Sequence, residues 1–78
     1  MNPRVLSVIP SIDYSLLITF DNGEKRVFDM NDYLSIGNIN ELKDLNLFKT
    51  ARVSIGTICW DNGLDLCPDT LYLQSKPI

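Results

Sequence analysis

Apolar residues in this chain come in short bursts separated by turn formers. Val5-Leu6-Ser7-Val8-Ile9 predicts a first strand, stopped by Pro10, which has no N–H for a sheet ladder. Ser11 to Tyr14 connects to a second strand over Ser15–Phe20, and a third follows over Glu24–Asp29. Between these two stands Asp21-Asn22-Gly23. Asn-Gly supplies the positive-φ pair of a type I′ turn, the strongest short hairpin signal. With Asn22-Gly23 as a two-residue loop, Phe20 faces Lys25, Thr19 faces Arg26, Ile18 faces Val27 and Leu17 faces Phe28. One face then collects Leu16, Ile18, Phe20 and Val27. The other holds Thr19, Glu24 and Arg26 near the tip, with Leu17 and Phe28 lower down. Alternation with period two makes this sorting sensitive to a one-residue slip.

The spacing changes after Asp29. Met30, Tyr33 and Leu34 fall on one side of a helical turn that Asp29 can cap. Asn38-Ile39-Asn40-Glu41 has the spacing of a capping box, with Asn as the cap. The short helix it opens carries Ile39, Leu42, Leu45 and Phe48 inward and turns Lys43, Asp44 and Lys49 to water. Arg52–Ile55 and Thr57–Trp60 predict two more strands, with Gly56 as a bulge or bend between them. A second Asp-Asn-Gly, residues 61–63, repeats the first turn after Trp60. Pro68 suits the first position of a last helical segment, with Asp69 beside it and Leu71 and Tyr72 as its apolar contacts. Ser75 to Ile78 reads as a loose tail.

Composition sharpens the class. The chain has 78 residues, 45% hydrophobic and 22% charged, which is globular rather than disordered. Eight isoleucines, four valines and four threonines stand against a single alanine, Ala51, and branched residues favour pleated surfaces. The expected architecture is one α+β domain over residues 1–78: a small antiparallel sheet of about four or five strands with one short helix packed on it. No apolar run approaches a membrane span, since none exceeds three residues, as in Leu16-Leu17-Ile18. Cytoplasmic residence is the expectation, with Cys59 and Cys67 as reduced thiols.

The chain has no histidine, which removes Ser-His-Asp and Cys-His catalysis and His-ligated metals. In a two-residue hairpin register Cys59 and Cys67 point to opposite faces, and two thiolates are too few for a structural metal. No cofactor and no metal ligand set is expected. Seven Lys and Arg against ten Asp and Glu leave a net charge of −3, which argues against tracking phosphates. Asp61, Asp65 and Asp69 form the densest carboxylate group, without the spacing of a calcium loop. Turn formation and helix capping explain Asp61 and Asp69; Asp65, between Leu64 and Leu66, is less easily explained. Trp60, the only tryptophan, serves as a core anchor or, if exposed, as a binding hot spot.

The segment Trp60-Asp61-Asn62-Gly63-Leu64-Asp65-Leu66-Cys67-Pro68-Asp69-Thr70-Leu71-Tyr72, together with Phe20-Asp21-Asn22-Gly23-Glu24 and Val27-Phe28-Asp29, resembles a bacterial family of small proteins catalogued as domain of unknown function 2442. The family pattern runs F-x-D/N-G, then V/F-F-D, then W-x-N/D-G-x-D-x-x-P-D/E-x-L-Y. The resemblance implies a small α+β domain with an antiparallel sheet and transfers no catalytic residue. It also implies a protein partner, because such genes often adjoin one for a second small uncharacterised domain, number 4160, in an arrangement like toxin–antitoxin pairs. The expected function is therefore a non-enzymatic protein–protein interaction module that binds a small basic protein, such as a neighbouring gene product. Trp60, Asp61, Asp65, Asp69 and Tyr72 are the candidate interaction residues. Direct nucleic-acid or membrane binding is not expected. The alternatives are an enzyme using Asp65 or Asp69 beside Trp60 or Tyr72, and a homodimer formed through the Val5–Ile9 edge.

Overall fold

A computed structural model describes residues 2–78. The fold is α+β, with two antiparallel sheets where the sequence pattern led us to expect one. Strands β1 (Val5–Pro10), β2 (Ser15–Phe20), β3 (Lys25–Asp29) and β7 (Lys76–Pro77) form the first, in the order β1-β2-β3-β7. Strands β4 (Arg52–Ser54), β5 (Thr57–Cys59) and β6 (Asp65–Leu66) form the second. Helix α1 (Leu45–Phe48) precedes β4, and helix α2 (Pro68–Gln74) lies between β6 and β7. Two 3-10 turns, Asn31–Tyr33 and Gly37–Lys43, cross between the sheets.

The β2–β3 hairpin exists, but its register differs by one residue from the Asn-Gly expectation. Leu16 pairs with Phe28, Leu17 with Val27 and Ile18 with Arg26. The cause is the loop, which has three residues rather than two. Gly23 N–H donates to Phe20 C=O at 3.0 Å and Phe20 N–H donates to Glu24 C=O at 2.8 Å. Gly23 alone has positive φ, at +89°, so Asn22 is not in the left-handed region that a type I′ turn requires. This is a tight turn followed by a glycine bulge. Phe28 therefore joins Leu16, Ile18 and Phe20 on the buried face, while Val27 turns outward at 37% exposure. The slip trades a valine for a phenylalanine in the core, a gain in buried apolar area.

The same loop closes β5–β6. Gly63 N–H donates to Trp60 C=O at 3.0 Å, and Trp60 N–H to Leu64 C=O at 2.9 Å. It also closes β1–β2, where Tyr14 takes the glycine position at φ +65°. Tyr14 is held there by its ring, edge-on to Phe48 at 5.2 Å, and by its hydroxyl, which donates to Lys43 C=O.

The middle of the chain buries Leu42 and Phe48 and half-buries Ile39 and Leu45, as the spacing predicts. It is not one helix. Asp44 is extended and caps α1 by accepting from Asn46 N–H at 3.0 Å, whereas the 3-10 turn before it has no side-chain cap from Asn38. Asp29 accepts from Asn31 N–H at 2.9 Å and opens the first 3-10 turn as expected. The chain end is a strand rather than a loose tail. Arg26 draws it in by donating to Ser75 Oγ and Ser75 C=O, both at 2.9 Å, and Ser75 is buried. Residues 76 and 77 then pair with β3. The inner faces of both sheets meet in one contiguous core around Phe20, Phe28, Phe48, Trp60 and Leu71.

Candidate functional site

The candidate residues lie on the β5–β6 hairpin and α2, and the structure separates them into supports and surface groups. Trp60 follows β5, on the side of Ile58, and is 1% exposed. Its indole N–H donates to Phe48 C=O at 3.0 Å, so its polar edge is satisfied inside. A partner cannot reach this ring, which removes Trp60 from the contact residues. It pairs with Leu64 across the hairpin, not with Asp65 as the two-residue loop implied.

Asp65 instead pairs with Cys59 and points to the opposite face from Trp60. Cys67, two residues beyond Asp65 in extended backbone, falls on that same outer side. The three-residue loop thus brings the two cysteines to one face, contrary to the shorter-loop register, and both remain free thiols. Asp65 is exposed and has no hydrogen bond or ion pair among the described residues. Asp61 sits at the hairpin tip, where its carboxylate meets Arg52 Nη1 at 2.6 Å, with both side chains more than half exposed. Such an exposed pair contributes little to stability. Asp69 occupies the first turn of α2 behind Pro68 and accepts from the Asn2 amide at 3.3 Å.

Tyr72 has a different task. Its ring packs edge-on against Phe20 at 5.1 Å, and the Arg26 guanidinium lies 4.6 Å from its centroid. The neighbouring Glu24 carboxylate, with partial burial, raises the phenol above its usual range. In the reverse direction, the Tyr72 hydroxyl and then the Asn22 amide hold the Glu24 carboxyl below its ordinary value, with help from Arg26. Asn22 donates to Glu24 at 2.8 Å, and Arg26 lies 3.5 Å from it. Tyr72 is thereby the clasp between α2 and the β2–β3 hairpin. Neither its phenol nor the Trp60 indole is set beside Asp65, and the carboxyls with resolved shifts, Asp13 and Glu24, are both lowered. Among the described residues no three Cys, Asp or Glu converge as a metal ion requires.

The turn between β4 and β5 gave no sequence signal beyond Gly56. Ser54 pairs with Thr57, leaving Ile55-Gly56 as a two-residue loop with φ of +50° and +76°. The type I′ geometry expected at the two Asn-Gly sites is found here, on a branched residue poorly suited to it. Ile55 is 90% exposed. The absent side chain of Gly56 lets Arg4 lie across the turn, with its Cδ and Nη1 each 2.9 Å from where a Cβ would stand. Arg4 Nη1 donates to Ile55 C=O at 3.3 Å. Beside the turn is an open hollow of about 340 Å³ between Arg4, Ile55, Cys67, Pro68 and Asp69.

A family profile described as "Protein of unknown function (DUF2442)" matches residues 5–77. The chain belongs to the DUF2442 family. No curated protein and no solved structure matches it. For this DUF2442 chain the segment from Trp60 to Tyr72 now divides by task. Trp60 and Leu71 fill the core, Gly63 supplies a φ of +86°, Pro68 opens α2 and Tyr72 clasps Glu24. Asp65 contributes backbone to β6, while its carboxylate has no hydrogen bond or ion pair among the described residues. Among the described residues no helix is long and apolar enough to cross a membrane.

Proposed function

We propose that this DUF2442 chain is a non-enzymatic protein–protein interaction module whose acidic surface along β6 and the start of α2 docks a small basic protein. The observation that supports this reading most is Asp65, an exposed and unneutralised carboxylate on a two-residue strand between two half-buried leucines. Asp69 extends the acidic surface, and Asp61 borders it with its charge shared by Arg52. Such carboxylates accelerate encounter with a cationic partner, while nearby apolar atoms supply contact area. The antitoxin-like role implied by the family resemblance is a special case, in which the basic partner is encoded next door. Co-expression with that neighbour tests it. The complex is expected to co-purify at low salt and to weaken as salt rises, and Asp65→Lys with Asp69→Lys is expected to abolish it while leaving the fold intact. Undiminished co-purification of the double variant would reject the acidic surface as the contact.

A further inference from the structure

Ile55 is the one described branched residue with positive φ, and it is almost wholly in water. An asparagine or glycine would suit both conditions better, so the fold of the single chain gives no reason for an isoleucine there. Next to it the hollow carries one cation and one anion that do not meet. Arg4 is pinned across Gly56, with its backbone N–H donating to Asp21 Oδ1 at 3.2 Å, but among the described residues its guanidinium has no carboxylate within 4 Å and the Asp69 carboxylate has only the amide of Asn2. An apolar knob beside a hollow, flanked by one unpaired charge of each sign, is complementary to itself. In an isologous pair each Ile55 would stand against Pro68 and Cys67 of the other copy and each Arg4 opposite the other's Asp69.

We propose that the Ile55-Gly56 turn and the adjoining hollow form the interface of a homodimer with this isologous geometry. A basic partner protein fits this patch less well than it fits the Asp65 side of β6, because Arg4 stands inside the patch; Asp69 borders both surfaces. The edge of β1 is a poorer route to a dimer. Its Val5 N–H is already donated to Gly56 C=O at 3.0 Å, its register is irregular between Val5 and Ser7, and Pro10 has no N–H.

Sedimentation equilibrium of the isolated full chain tests this, with no other protein present. The native chain is expected to show a monomer–dimer equilibrium. Ile55→Asn is expected to weaken it about tenfold or more, as loss of a central apolar anchor does, while raising the melting temperature because the left-handed strain is relieved. Arg4→Glu is expected to weaken it too, and Arg4→Glu with Asp69→Arg to restore it. A native chain that stays monomeric at every loading overturns the proposal, as does a dimer indifferent to Ile55→Asn or a charge swap without rescue. The outcome is separable from the partner reading, which is decided with a second protein.

Discussion

Gly23 and Gly63 occupy the same position in two copies of one loop, at φ +89° and +86°, and nothing lies within 4 Å of where their Cβ atoms would be. Substitution there meets backbone strain but no steric neighbour. Gly63→Ala is therefore expected to cost about 1–2 kcal/mol, the penalty of a left-handed alanine, and urea unfolding should report it. Tyr14 shows that the third such loop tolerates a side chain when packing against Phe48 offsets the strain. At the same scale, Tyr72 and Glu24 link stability to pH. The folded Glu24 carboxyl sits below the ordinary glutamate value of 4.5, chiefly through the Tyr72 hydroxyl. A depressed carboxyl contributes stability that is present above its unfolded pKa and lost as pH falls through the lower folded value. Tyr72→Phe should move the Glu24 titration upward by NMR. The melting-temperature gap between this variant and the native chain should close on acidification below about pH 4.5. A gap independent of pH would show that the hydroxyl acts by packing alone.

At the scale of elements, strands β1 to β5 and the start of α2 are legible in the sequence because period-two alternation, Pro10 and Pro68 are strong local signals. Register was not. Asp-Asn-Gly is compatible with a two-residue or a three-residue loop, and the choice falls to whether Phe28 or Val27 reaches the core, a long-range packing decision. A loop one residue shorter would turn Val27, Phe28, Asp65 and Cys67 together to the opposite faces. The capping box at Asn38 failed for a related reason: Asp44 competes for the same short segment and caps a better-packed turn around Phe48. Strand β7 was invisible because its partner is reached through Arg26 and Ser75, 49 residues apart. Truncation after Gln74 removes this strand along with the Ser75 contacts. It should expose the Val27 amide, which faces β7, to fast hydrogen exchange while the β2-facing Arg26 amide stays protected, and lower global stability by about 1–3 kcal/mol, the cost of leaving a guanidinium short of its partners.

For the whole molecule, one core lies between two small sheets, and the surface divides by character. The outer face of the larger sheet carries Ile9 and Val27 beside Lys25 and Lys76, the β4–β5 turn carries Ile55 and Arg4, and β6 with α2 carries the carboxylates. Of the candidate site, the closeness of Asp61, Asp65 and Asp69 along the chain is legible, but the face that Asp65 takes depends on the loop length, and of the two uses open to Trp60 its burial selects the core anchor. Ile55 and Arg4 were not, since only the fold places residue 4 across residue 56. The division of the surface makes the partner reading spatially specific. The most direct test is an NMR titration of the isotopically labelled chain with the proposed partner, a small basic protein from an adjoining gene. The account predicts shift changes centred on the amides of Asp61, Asp65 and Asp69 that fade as salt is added. Changes centred instead on Ile9, Leu17 and Val27, and unmoved by salt, would contradict it.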